Sequence, residues 1–287
     1  MLAGLLWNFW SFLVLFTVIH FGCWFEYLKL VEKIYTTKID IVIKYVFYIA
    51  GFCIFLLLGL DSVSFDFNIT KEPLPPFSLK WVFIFFVFIL IAVFLFTNKQ
   101  IVPKAKWLSF FGLIYISVSL ALLINLRDAG QMSYDGFFFF DIGIIYAVII
   151  IFSIWINDTM AYLVGSLIGK TPLTKISPKK TWEGTVGGAL LAILIIGFLG
   201  KMITDDFIRH PFPGVTIATP NYLMYFIIPA LCAIFGTLGD LFESKLKRMA
   251  DVKDSGSFMP GHGGFLDRFD SLLFAVPAVW VYVKLFL

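Results

Sequence analysis

The sequence predicts an all-α fold, a polytopic helical membrane protein with eight to nine transmembrane helices and a polar site at one membrane rim. Three observations carry this prediction. The chain has 287 residues, of which 60% are hydrophobic, 14% are charged and 35 are phenylalanine, and its mean hydropathy is +0.92. So much apolar surface cannot be hidden in one soluble core. Apolar runs near the roughly 20 residues that cross a hydrocarbon layer of about 30 Å recur along the whole chain. Basic residues concentrate in alternate loops between those runs.

In chain order the runs are Leu5–Leu28, Ile41–Leu60, Trp81–Phe96, Leu108–Leu126, Phe137–Ile156, Thr185–Ile203, Tyr222–Phe242 and Ser271–Leu287. A further apolar piece, Asp158–Gly169, either lengthens the fifth span or makes a ninth, short helix. The first span lacks a basic leader and a small-residue cleavage site, so it reads as a retained anchor. The segment "KEPLPPF" (71–77) reads as a turn loop. One integral membrane domain, 1–287, is expected, with residues 1–127 chemically quiet and 137–287 holding the chemistry. Cys23, Cys53 and Cys232 lie inside spans without paired spacing and read as small apolar packing residues.

Lys29, Lys33, Lys38 and Lys44 follow span one; Lys99, Lys104 and Lys106 follow span three; Lys170, Lys175, Lys179 and Lys180 follow span five; Lys245, Lys247, Arg248, Lys253 and Arg268 follow span seven. The intervening loops carry Asp61, Asp66, Glu72, Asp128, Asp135, Asp205 and Asp206. By the positive-inside rule the basic set faces the cytoplasm, and eight crossings put both termini outside, whereas nine would move the N-terminus inside. The expected location is the cytoplasmic membrane of a bacterium.

Polar chemistry gathers in two clusters. The first is "NDTMAYLVGSLIGKTPLTKISPKKTWEG", 157–184. On a helix Asp158, Ala161, Tyr162, Gly165, Ser166 and Gly169 share one small, polar face. Small residues so spaced admit a close helix neighbour, but a carboxylate at the edge of a span needs a partner, water or a cation. Ser177 with Pro178 reads as a helix start, whose free N–H groups attract anions. Lys179 and Lys180 serve either headgroup anchoring or phosphate binding.

The second cluster is "GTLGDLFESKLKRMADVKDSGSFMPGHGGFLDRFD", 236–270. If the seventh span continues as helix, Thr237, Asp240, Ser244 and Lys247 make a polar stripe that should not face lipid. Gly263 and Gly264 could form a nest of N–H groups for phosphate oxygens. Asp240, Asp254, Asp267 and Asp270 are hard oxygen donors of the kind Mg²⁺ takes, one or two at a time. Lys247, Arg248, Lys253 and Arg268 are counter-charges for phosphate. Carboxylates for a metal and cations for phosphates, where a loop re-enters the bilayer, describe a phosphoryl or nucleotidyl transfer site. A solvated loop of surface ion pairs is the blander reading.

The run from Ser244 to Asp270, S-x-L-K-R-x4-K-D-x-G-x2-M-P-G-H-G-G-F-x-D-R-F-D, resembles the signature of the phosphatidate cytidylyltransferases, the CDP-diacylglycerol synthases. Met259 stands where that family usually has a branched aliphatic residue. "D-T-x-A-Y-x2-G" and "I-S-P-K-K-T-W-E-G" resemble the family too, with Ser166 where Arg is common, and "WFEYLKL" is a faint echo of the end of its first span. The resemblance implies a reaction of CTP with phosphatidic acid that yields CDP-diacylglycerol and pyrophosphate, with Mg²⁺ and optionally a second cation. It implies Asp240 and Asp267 as principal metal ligands. Lys179, Lys180, Lys247, Arg248, Lys253 and Arg268 become phosphate contacts; Ser244, Gly263 and Gly264 join the substrate site; Asp158 and Asp254 belong to the metal shell or pair with lysines. His262 is expected to hydrogen-bond phosphate or to support the loop, because a phosphate monoester with a second pKa of about 6 needs no base. The expected partners are CTP, phosphatidic acid and the bilayer, with no nucleic acid; a homodimer stays open. Two rivals are a CTP-dependent lipid kinase and a transporter, and a transporter would hold its charges near the bilayer midplane on paired repeats.

Overall fold

The structure, a computed structural model, describes residues 2–60, 84, 87–88, 102–128, 131–134, 138–209, 221–258 and 263–287. Apart from residues 84, 87 and 88, the expected third span lies outside the described residues, as do the turn loop at 71–77, Met259, Gly261 and His262. The described residues group into two compact units. One comprises Met1–Ala129 with Met249–Asp267, the other Gly130–Arg248 with Arg268–Leu287. The signature run is therefore divided, and most of its loop packs with the N-terminal helices.

The first unit contains a short α1 (Leu2–Leu6), α2 (Phe9–Ile34), α3 (Ile41–Gly59) and the rod α4 (Pro103–Asp128). Asn8 caps α2: its Oδ1 accepts from the Ser11 N–H at 2.7 Å, and the Ser11 hydroxyl returns the contact to the Asn8 N–H, which settles two donors that a helix start leaves unpaired. At the other end Glu32 accepts from the Ile39 N–H at 2.8 Å and pairs with Lys44 at 2.9 Å, closing the turn into α3. The core is aromatic, with Phe12, Phe16, Trp24, Tyr27 and Phe55 fully buried. Leu113–Val118 of α4 winds as a π-helix. It includes Ser117, whose hydroxyl accepts from Trp24 Nε1 at 2.9 Å and lies 2.9 Å from His20 Nε2. His20 is thus a buried core residue whose Nε2 meets a serine.

The second unit opens with an antiparallel hairpin, β1 (Gln131–Tyr134) and β2 (Phe138–Asp141). It continues with α5 (Ile142–Ile168), α6 (Trp182–Arg209), α7 (Met224–Met249) and α8 (Leu266–Phe286). The expected fifth span thus starts five residues later than its hydropathy suggests, since aromatic residues suit a strand as well as an apolar helix. Asp158–Gly169 continues α5 and makes no separate crossing. Among the described residues seven helices are long and apolar enough to cross a membrane, so the protein is a polytopic, multi-pass helical membrane protein. The hairpin is a small addition to an otherwise helical architecture.

Helices α5 and α6 pack backbone to backbone. A methyl group on Gly188 would meet Ala161, and one on Gly184 would meet the Ala161 carbonyl and the Gly165 Cα. The small face of α5 is in this respect a helix-packing seam, as small residues at that spacing allow, while Tyr162 and Ser166 beside it are exposed.

Candidate active site

In the second unit, a closed turn after α5 presents two lysines. Glu183, in the first turn of α6, accepts from the Thr171 hydroxyl at 2.8 Å and from the N–H groups of Lys170 and Thr171 at 3.2 Å. Leu173 N–H donates to the Lys180 carbonyl at 2.7 Å, and Pro172 bridges Thr181. The Thr181 hydroxyl accepts the Gly184 N–H at 3.1 Å and so caps α6. The helix start expected at Ser177 and Pro178 is corrected to Thr181. Strand-like pairing holds the chain up to Lys180, and the first hydroxyl free to cap comes after it.

This turn directs Lys180 to Asp240 of α7, with which it forms an ion pair. Asp158 of α5 and Asp270 in the first turn of α8 lie within electrostatic range of Asp240 and of Lys180. Asp270 is 6% exposed and accepts the Ser271 N–H at 2.7 Å. The approach of α7 to α8 is close here, since a methyl group on Gly239 would meet the Asp270 carbonyl. One carboxylate, Asp240, therefore pairs with the Lys180 ammonium group, and two more from other helices lie within electrostatic range of the pair. Among the described residues no three His, Cys, Asp or Glu side chains already close on a single ion. A pair such as Asp240 with a neighbour still matches the donor set of Mg²⁺, which completes its shell with water and phosphate.

The remaining basic candidates of this unit differ in availability. Lys179, Arg248 and Arg268 are exposed, whereas Lys247 pairs with the fully buried Glu243 one turn back at 2.5 Å. Ser244 is half-buried on α7. The expected polar stripe is real, because α7 runs unbroken to Met249.

In the first unit, the signature loop is organised by two carboxylates. Asp267 Oδ2 accepts the Ser255 N–H at 2.9 Å, the Ser255 hydroxyl at 2.8 Å and the Gly264 N–H at 2.8 Å. Gly263 has φ of 83°, a conformation that favours glycine. The anion held by the Gly264 N–H in this concavity, expected for phosphate, is the carboxylate of Asp267. The second carboxylate is Glu26 of α2, 3% exposed, to which the sequence reading gave no role. It accepts the Leu266 N–H at 2.9 Å, and its Oε2 lies 2.8 Å from the Ser255 hydroxyl oxygen. Lys253 and Asp254 are exposed on this loop. Beside it opens a cavity of ≈ 690 Å³ whose walls include Val18, Phe25, Lys29, Lys33, Asp254 and Phe258.

The model of the cytidylyltransferase family matches residues 1–286. A phosphatidate cytidylyltransferase of Thermotoga maritima is 32% identical over 241 residues, which is 82% of this chain and 78% of that protein. One of Bacillus subtilis is 38% identical over 174 residues, 60% of this chain and 56% of that protein. One of Synechocystis is 41% identical over 151 residues, 52% of this chain and 46% of that protein. The match thus spans about half the length of two of these three relatives.

Proposed function

The chain belongs to the cytidylyltransferase family, and we propose that it joins CTP to phosphatidic acid, releasing pyrophosphate and leaving CDP-diacylglycerol in the membrane. The observation that carries this reading is the Lys180–Asp240 ion pair, with Asp158 and Asp270 within electrostatic range of both partners. When ionised, the three carboxylates outnumber the ammonium group and repel a triphosphate. Such a cluster suits an anionic nucleotide only if a divalent cation comes with it, which is how Mg²⁺-nucleotide sites are built.

In the reaction, an oxygen of the lipid phosphate attacks the α-phosphorus of CTP in line. A new P–O bond forms to the lipid phosphate, the bond from the α-phosphorus to the bridging oxygen breaks, and that electron pair leaves with pyrophosphate. No enzyme nucleophile takes part, so the residues serve to bind, orient and balance charge. Bound Mg²⁺ would supply Lewis-acid stabilisation of the crowded α-phosphorus and of the departing pyrophosphate. Asp240 is the carboxylate of the cluster proposed to hold it. Asp267 is proposed as a ligand of the loop. Lys180 is proposed to meet phosphate oxygens, with Lys179, Arg248, Lys253 and Arg268 as further contacts. The membrane is proposed to be the cytoplasmic one, with the lysine-rich loops inside, where CTP is at hand.

The test is purified protein with CTP labelled at the α-phosphate, phosphatidic acid and Mg²⁺. Labelled CDP-diacylglycerol is expected. Release of CDP with a phosphorylated lipid and no liponucleotide would mark a kinase and overturn the reading.

A further inference from the structure

Glu26 stands in the middle of an apolar helix, 229 residues from Ser255 and 240 from Leu266 in sequence, yet it bonds to both. A buried carboxylate with so few water contacts is expensive unless the surroundings are built for it. Here they are. A methyl group on either Gly256 or Gly264 would overlap its carboxylate oxygens, so two glycines of the loop are the walls of a slot that Glu26 fills. Phe265 fits a second notch on the same helix, against Gly22, whose added methyl group would overlap the ring. Phe258 packs on Phe265 with ring centroids 4.5 Å apart.

The link to Asp267 is direct. The Ser255 hydroxyl lies 2.8 Å from Glu26 Oε2 and 2.8 Å from Asp267 Oδ2, and its neighbour Leu266 is tied to Glu26 through the backbone. We propose that Glu26 is a positioning residue for cytidylyl transfer: it ties Ser255 and Leu266 to α2 and, through the bridging Ser255 hydroxyl, sets the orientation of the Asp267 carboxylate. This rests on the function proposed above, in which Asp267 is a metal ligand. Glu26 touches neither substrate nor metal in this scheme. A misplacement of reacting groups on the order of 1 Å costs about 10²-fold in rate, so a residue this far from the chemistry can still control it.

The experiment uses the full-length protein in detergent with Ser257→Cys as a reporter, since Ser257 is exposed on the loop and the native cysteines Cys23, Cys53 and Cys232 are buried. Maleimide labelling of the reporter reads loop anchoring, and the transfer assay reads kcat, the KM for CTP and the Mg²⁺ concentration for half-maximal rate. Glu26→Ala is expected to label about tenfold faster, to lose about 10²-fold in kcat and to need more Mg²⁺, with little change in KM. Glu26→Gln retains an acceptor oxygen at the same reach and is expected to rescue anchoring and most of the rate. Glu26→Asp, one methylene shorter, is expected to fail on both. If Glu26→Ala does not fold, the order of Gln over Asp decides. Equal labelling in parent, Ala and Asp variants overturns the proposal, as does faster labelling with unchanged kcat and Mg²⁺ requirement. If the parent transfers no cytidylyl group, the proposed function falls, and labelling alone judges whether Glu26 anchors the loop.

Discussion

The carboxylates that organise the signature loop and those of the helix cluster are the same chemical group living under different rules. In the first unit Glu26 and Asp267 are met by a hydroxyl and by backbone N–H groups, and glycines give them room. In the second, Asp240 pairs with Lys180, and Asp158 and Asp270 lie within electrostatic range of that pair. Hydrogen bonds from oriented neutral donors fix a carboxylate in space, because they are short-ranged and directional. Charge around one ammonium group fixes little, but it leaves a site that an added cation can complete. The difference separates carboxylates oriented by neutral donors from carboxylates grouped with a lysine.

The sharpest way to break this comparison is Asp240→Asn, which keeps the side chain's shape and removes its charge. Loss of transfer on the order of 10³-fold is expected, comparable to removing a principal charge-stabilising group from an active site. An unchanged rate would remove the cluster from the mechanism. Next comes Asp267. Asp267→Asn retains an oxygen for Ser255 and Gly264, so the loop should stay anchored while the rate falls by about 10²-fold. Asp267→Ala should cost more and free the loop as well. Equal rates for the two would mean that the loop bonds of Asp267 are unconnected to catalysis.

A smaller effect is expected on stability. Gly264→Ala pushes a methyl group into the Glu26 carboxylate and should destabilise the detergent-solubilised protein by about 1–3 kcal/mol, the usual range for overpacking, seen as a lower Tm. Adding Glu26→Gly should return part of the loss, because the obstruction is then gone. An unaltered Tm in Gly264→Ala would show that the slot can relax. The smallest effect is expected from Glu183→Gln, which weakens the bonds that close the turn before Lys180. A several-fold rise in the KM for CTP with kcat nearly intact would assign that turn to binding; a fall in kcat alone would move it to the chemistry.

Much of this was legible in the chain. Hydropathy located the cores of the seven spans among the described residues, because an apolar run long enough for the bilayer is a local property. Asp158, Lys180 and Asp240 could also be singled out, since charges at the end of apolar helices are conspicuous. The turn after α5 was less legible: Ser177–Pro178 has the chemistry of a helix start, and only the pairing of residues 172 and 173 with residues 180 and 181 shifts the cap to Thr181. The aromatic run at the start of the fifth span concealed a strand for a similar reason, as Phe138 to Phe140 suit either state. Glu26 did have a signal. The rule that made Asp158 suspect applies equally to an acid in "CWFEYLKL", inside the first span.

Composition and the order of residues determined that this protein crosses a membrane many times and that its reactive groups cluster in the second half, because transfer of apolar segments from water is decided segment by segment. They also determined the inventory of carboxylates and cations. Only the tertiary structure decided which carboxylate does what. Glu26 meets Ser255 and Leu266 across more than 220 residues of chain, and the glycines that admit it are defined by a side chain from a different helix. Hydrogen bonds and steric exclusion act over a few ångströms in space, and no spacing along the sequence encodes them.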